Sequence, residues 1–263
     1  MAGINSINIF DPKLSRSHIM IQTTKGIVLR TIKYGETSVV VNVFTELFGI
    51  QSYLVNGVRS SGKTWKANFF QPSCMLEMQV YHNELKNLQR IKEYKWNYLY
   101  KNILSDVTKN SVALYMVELL QKCLKQPENN IDLFEFTEDA FVQLDIADTA
   151  VTANFPLYFC LHLSHFFGLK LEDDYSDNNS ILDLVEGRFV KDTPHHPHFL
   201  EKDYSYYISQ LLKAQHPDEL IEIKLNKAMR KDMLFALQNF YGLHIQDFGT
   251  MKTLPVLHEI LSA

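Results

Sequence analysis

Cysteine is scarce in this chain. Of 263 residues only Cys74, Cys123 and Cys160 are cysteine, far apart and in no C-x-x-C pair. That excludes a disulfide framework and a thiolate zinc site, and fits buried free thiols in a reducing cytoplasm. Long apolar runs are missing too. The longest, Phe155 to Leu169, contains His162, Ser164 and His165, which makes it too short and too polar to cross a bilayer. The first nineteen residues hold no apolar signal core followed by a cleavage site, and we read them as an extension or leftover ahead of a start at Met20. No internal repeat and no low-complexity segment is present. No Ser/His/Asp or Cys/His constellation stands out, and Cys160, beside His162 on an apolar helix, reads as inert.

Positive charge is not in excess either, since 26 Lys/Arg face 30 Asp/Glu for a net of −4. The sum hides an asymmetry. Residues 1–100 carry 12 Lys/Arg and 6 Asp/Glu, whereas residues 101–263 carry 14 and 24. A basic unit joined to an acidic one suggests one surface for a polyanion and another for a different partner. Apolar content of 46% is enough for packed cores rather than disorder.

The first part reads as β structure. Gly26–Thr31, Thr37–Phe44, Ile50–Val55, Met75–Tyr81 and Asn87–Tyr94 are short runs rich in β-branched and aromatic residues. Turns at Tyr34-Gly35-Glu36, Phe48-Gly49 and His82-Asn83-Glu84 separate them, with a basic loop from Arg59 to Lys66. Five such strands in this length predict a small barrel, most often an OB-fold that binds single-stranded nucleic acid.

From about residue 97 the period turns helical. Val112, Tyr115, Met116, Leu119, Leu120 and Cys123 fall on one face of a helix ending near Pro127. Further helices are expected at Leu133–Leu144, Ala153–Phe167 closed by Gly168, about 203–214, about 225–241 closed by Gly242, and about 254–261. Between them lie an acidic loop at Glu172–Asn179, a small hairpin around Glu186-Gly187, and a loop at Pro194–His198. The expected class is therefore α+β: an OB-fold at 20–96, then a helical domain at 97–263 with an insertion at about 171–200.

Residues Gly57-Val58-Arg59-Ser60-Ser61-Gly62-Lys63-Thr64 formally match the phosphate-binding pattern G-x-x-x-x-G-K-[ST]. Read literally, this makes the chain a nucleotide hydrolase. Such a loop must leave a parallel strand and open a helix, so that N–H groups and the helix dipole hold phosphate. Here Pro72 comes after barely two turns, and no acidic residue closes the next strand to hold magnesium. The context favours a basic loop between barrel strands. A third reading, a helical adaptor that binds only proteins, remains beside these two.

The same residues resemble a known family. Lys25-Gly26-Ile27-Val28-Leu29-Arg30, Tyr34-Gly35-Glu36, Thr45-Glu46 with Gly49, Gly57-Val58-Arg59 and Gln71-Pro72 resemble the N-terminal domain of the RecO family. Tyr241-Gly242-Leu243-His244 and Met251-Lys252-Thr253-Leu254 resemble its C-terminal end. The resemblance implies a non-enzymatic, cytoplasmic and nucleoid-associated mediator of recombinational DNA repair. It implies binding of single- and double-stranded DNA, strand annealing, and contact with RecR and the C-terminal tail of the single-stranded DNA-binding protein. It also implies indirect help in loading RecA. Many members carry a four-cysteine zinc site after the helix matching Ala153–Phe167. The corresponding Leu171-Glu172-Asp173-Asp174-Tyr175 has no cysteine, so no zinc, and no other cofactor, is expected.

The main candidates for DNA contact are the basic residues of the barrel, Arg30, Lys33, Arg59, Lys63, Lys66, Arg90 and Lys92, with Tyr34 and Trp65 for stacking on bases. The plainer reading makes them solvated charges, with Trp65 in the core. A second stripe, Lys227, Arg230 and Lys231, lies on the helix from about 225 opposite Leu225, Met229, Met233, Ala236, Leu237 and Phe240. It extends a DNA path or is a solvated face. The groove beside Lys224, Lys227 and Lys231 is the expected place for the acidic partner tail. His195, His196 and His198, with Glu186 or Asp192, invite a metal reading but lack a His-x-x-x-His pair. His162 and His165 read as core or interface residues.

Overall fold

A computed structural model describes residues 20–59, 64–169 and 171–262. Five strands, β1 (Met20–Tyr34), β2 (Ser38–Thr45), β3 (Gly49–Val55), β4 (Met75–His82) and β5 (Leu88–Tyr98), close into a barrel in the order β1-β2-β3-β5-β4. All neighbours are antiparallel except β3 and β5, which run parallel over Ser52–Leu54 and Leu88–Arg90. β1 is long enough to pair with β4 along its first half and with β2 along its second. The expected class is therefore met, with β1 and β5 extending further than their patterns indicated.

The barrel encloses Val28, Val41, Val43, Tyr53, Leu76, Met78 and Val80. Gly26 sits where a Cβ would lie 2.5 Å from the Val43 side chain and 2.7 Å from that of Met78, so only glycine leaves room for this filling. A 3-10 helix, Thr64–Phe70, lies across the barrel end. Phe69 stacks on Trp96 at 4.3 Å, and Phe70 meets Tyr94 edge-on at 4.9 Å.

The helical part comprises α1 (Val107–Cys123), α2 (Ile131–Ile146), α3 (Thr149–Ser164), α4 (Lys202–Lys213), α5 (Lys227–His244) and α6 (Thr253–Ser262). Asp106, Asn130, Asp148 and Asn226 cap four of these, each side chain accepting the N–H three residues on, the usual N-cap arrangement. Gly168, at φ 69°, closes the 3-10 turn His165–Phe167 that ends α3, as expected. Gly242 does not close α5. The helix runs through it, and Ile245 N–H still reaches Tyr241. Leu225 stands before the Asn226 cap, buried in the approach rather than on the helix.

The insertion carries a sheet, β6 (Ile181–Asp183), β7 (Arg188–Val190) and β8 (Phe199–Leu200), ordered β7-β6-β8. The hairpin was legible; β8 and a 3-10 helix at Pro217–Glu222 were not. Aspartates hold this region. Asp183 Oδ1 accepts the N–H groups of Val185 and Glu186, Asp174 accepts that of Phe189, and Asp173 accepts the Ser209 hydroxyl.

Barrel and helices share one core. Ile27, Leu29, Phe44 and Met75 point out of the barrel and pack with the buried faces of the helices. Phe44 lies 5.5 Å from Phe134 of α2. Glu138 of α2 receives Lys25 at 2.8 Å, and Gln121 of α1 donates to the carbonyl of Leu29, where a bulge interrupts β1–β2 pairing. Asp145, fully buried near the end of α2, accepts the N–H groups of Lys101, Asn102 and Ile103 at 2.8–2.9 Å, and the Tyr98 hydroxyl at 3.3 Å. Burial opposes its ionisation, but these donors outweigh it and hold the carboxyl below its ordinary range. The chain leaving the barrel is thereby tied to the helical body.

Candidate nucleic-acid interface

Strand register defines the site. Residues paired across a sheet share a face. Ile32 of β1 pairs with Val40, Val40 with Leu54, and Leu54 with Arg90. The next row outward is Arg30, Asn42, Ser52 and Leu88, and Tyr34 pairs with Ser38 at the other side. The rows between, such as Val41–Tyr53–Gln89, are buried in the barrel. One outer face spanning β1, β2, β3 and β5 therefore presents Arg30, Ile32, Tyr34, Leu88 and Arg90 around a middle of Val40, Asn42, Ser52 and Leu54. Ile32 is 44% exposed, Tyr34 55% and Leu88 40%. Exposed apolar and aromatic groups between guanidinium groups are what a strand of unpaired bases needs: platforms for base faces, cations for the backbone.

The structure divides the candidates. Arg30, Tyr34 and Arg90 lie on this face. Lys33, in the row of Val39 and Val55, stands exposed at the barrel mouth. Arg59 lies there too, its N–H on Thr37 carbonyl at 2.9 Å and its guanidinium on Gly35 carbonyl at 3.3 Å, which ties the β3–β4 loop to the β1–β2 turn. Lys66 is half-buried on the 3-10 helix. Lys92, two residues beyond Arg90 on β5, sits exposed at a β4–β5 bulge and donates to Gln79 of β4 at 3.3 Å. Lys63 and the side chain of Trp65 lie outside the described residues.

The second stripe is not uniform. Lys227 is exposed and Lys231 half-buried. Arg230 is turned inward, its Nε on Asn154 Oδ1 at 3.0 Å and its terminal nitrogen on Leu225 carbonyl at 2.9 Å. Its geometry is that of a brace between α5 and α3, because those two acceptors lie under the start of the helix. Lys224 donates to Ile221 carbonyl beside it.

The phosphate-loop reading finds little support in its flanks. β3 belongs to a barrel, and the next element is a seven-residue 3-10 helix rather than a crossover α-helix. Residues 60–63 of the match lie outside the described residues. Among the described residues no group of three or more His, Cys, Asp or Glu is placed to hold a metal ion. His196 instead faces Asp183 at 3.3 Å, with His198 N–H on its Nδ1. All three thiols are buried, and burial pushes Cys74 and Cys160 up to about 12, so they stay protonated and unreactive. Half-buried His162 leans on Tyr158 at 4.3 Å, while His165 is exposed. No described helix is long and apolar enough to cross a membrane.

Ile32, Val40, Leu54 and Leu88 were missed as surface residues. The signal was present: Val39-Val40-Val41 is apolar on both parities, so one parity must face outward.

A five-stranded closed barrel with this strand order and an open outer face, fused to a helical body, places the molecule among OB-fold proteins. The recombination protein O N-terminal profile matches residues 20–100, and the corresponding C-terminal profile matches residues 104–253. The chain belongs to that family. Similar curated proteins are each called DNA repair protein RecO. That of Phocaeicola vulgatus is 32% identical over 92% of this chain and 100% of its own length. That of Bacteroides fragilis is 31% identical over 92% and 99%, and that of Flavobacterium johnsoniae 30% over 91% and 98%.

Proposed function

We propose that this chain is a DNA-binding mediator of recombinational repair that holds single strands on the outer face of β1, β2, β3 and β5. The observation that carries this is the row pattern setting Arg30 and Arg90 around exposed Ile32, Tyr34 and Leu88. Arginines neutralise backbone phosphates and release counterions, while the apolar groups take the faces of unpaired bases. Bases so displayed remain available on their pairing edges. A second, complementary strand then pairs and annealing proceeds downhill without nucleotide. Lys33 and Arg59 at the barrel mouth extend the cationic path, with Lys66 on the 3-10 helix that follows. The partners are those the family implies: RecR, the acidic tail of the single-stranded DNA-binding protein, and RecA indirectly.

The test is fluorescence anisotropy with a short single strand across a salt series. Binding should weaken steeply with salt. Arg30→Ala with Arg90→Ala removes two phosphate contacts and should flatten the log–log slope by about 1.4, at about 0.7 per contact for single strands. No binding by the unaltered protein at low salt would overturn the reading.

A further inference from the structure

The outer face does not run freely off the barrel. Beyond the row of Arg30, Asn42, Ser52 and Leu88, the next row is Phe44 and Ile50, and Phe44 packs under α2 against Phe134. The face ends in a cleft of about 680 Å³ between β3, the β4–β5 loop and the α1–α2 loop. Ser52 belongs both to the face and to the cleft wall. The opposite wall, Pro127–Asn129, is held close by Gly49, where a Cβ would lie 2.2 Å from Glu128 carbonyl oxygen.

Its lining is chemically specific. Its walls offer neutral amides, Gln51 and Asn87 from the barrel side and Asn129 from the helical side, together with the Phe48 ring. Gln51 Nε2 donates to Phe48 carbonyl at 2.9 Å, which orients its amide. Phe48 stacks on His82 at 3.9 Å, and His82 Nδ1 is buried with no hydrogen-bond partner. That stack holds the Phe48 ring in place at the cleft and closes the imidazole nitrogen off from it. Among its charged lining residues Glu84 and Glu128 outnumber Lys86, so the cleft repels phosphate and suits a flat neutral group with donors and acceptors on its edge.

We infer that this cleft receives one unpaired base of a nucleic-acid strand lying on the barrel face. The inference rests on the proposed single-strand binding and adds its end point. The backbone stays on Arg30 and Arg90, and the terminal base turns off the face into the cleft. A paired base cannot do this, so the cleft distinguishes unpaired from paired strands.

The experiment blocks the cleft from either wall, with Asn129→Trp on the exposed α1–α2 loop and, separately, Asn87→Trp on the exposed β4–β5 loop. Anisotropy is measured with an oligothymidylate, with the same backbone lacking bases, and with a duplex. Loss of one base contact should weaken the oligothymidylate by about tenfold in both variants, within the range for one stacked base. The salt slope, the abasic strand and the duplex should be unaffected. Thermal melting identifies a variant that fails to fold, and Asn129→Trp, on an exposed loop, then carries the test. Unchanged oligothymidylate binding, or equal loss for the abasic strand, would overturn the cleft while leaving the barrel face intact. Absence of any single-strand binding by the unaltered protein would overturn both.

Discussion

Replacing Asp145 with Asn should loosen the joint between barrel and helices. Its Oδ1 accepts two N–H groups, from Asn102 and Ile103, and an Asn carbonyl can retain both. Its Oδ2 accepts Lys101 N–H at 2.8 Å and the Tyr98 hydroxyl. In the Asp145→Asn variant an amide nitrogen faces Lys101 N–H, donor against donor. One buried charge-assisted bond is lost and one donor left unsatisfied, a cost of about 2–3 kcal/mol. Asp145→Ala strands all three N–H groups and should cost about 4 kcal/mol or more, in the range for breaking a buried charged network. For a chain of this size the Asn variant should melt about 5–10 °C lower. The pH dependence supplies an independent check. The folded carboxyl titrates below its unfolded value of about 3.9. Its stabilisation is therefore complete above that value and is lost as pH falls through the folded one. Below about pH 4 the unaltered protein should lose stability more steeply than Asp145→Asn. Differential scanning calorimetry at pH 7 and pH 3.5 reads both effects. A melting change under about 2 °C at pH 7, set against the shift expected for a chain of this size, or a difference that fails to narrow in acid, would refute the account.

Other perturbations act at close contacts. Gly49→Ala places a Cβ against the Glu128 carbonyl at φ +61° and should cost about 2–4 kcal/mol in urea unfolding, a left-handed penalty of about 1–2 plus the clash. Gly57→Ala, at φ +70° where the added Cβ meets no atom within 4 Å, should cost only the left-handed penalty. Glu118→Ala removes the acceptor for Lys252 N–H, Thr253 N–H and the Thr253 hydroxyl. It should fray α6 for about 1–2 kcal/mol, seen as faster hydrogen exchange at those two amides without change in the barrel.

The fold was legible because its patterns are local. β-branched runs separated by Gly turns marked five strands, and the i, i+3, i+4 spacing of α1 marked the first helix. What stayed hidden depended on partners far along the chain. β8 is only Phe199–Leu200 and exists because Leu182 pairs with Leu200. Gly242 resembled a stop signal, but nothing requires a left-handed residue there, and α5 continues. Arg230 read as a surface cation because sequence spacing cannot show that Asn154, on α3, lies within reach. The outer face was half visible: its charges stood out, and Val39-Val40-Val41 showed that one parity must face outward, but only the register told which and placed Ile32, Val40 and Leu54 outside.

The charge asymmetry acquires a role from the shared core. The acidic half, 24 Asp/Glu against 14 Lys/Arg over residues 101–263, is joined to the barrel through Ile27, Leu29, Phe44 and Met75. It cannot swing away from a strand lying on the barrel. Screening limits such repulsion to about 8 Å at physiological salt, so it acts at the edges of the face and not across the molecule. A polyanion held on Arg30 and Arg90, as proposed, would be attracted over a short stretch and meet Glu84 and Glu128 where the helical body begins. That geometry favours a short contact, released readily, over a long wrapped one. If two strands are brought together there, as proposed, short contact is an advantage: once complementary bases pair, few protein–phosphate contacts oppose departure of the duplex.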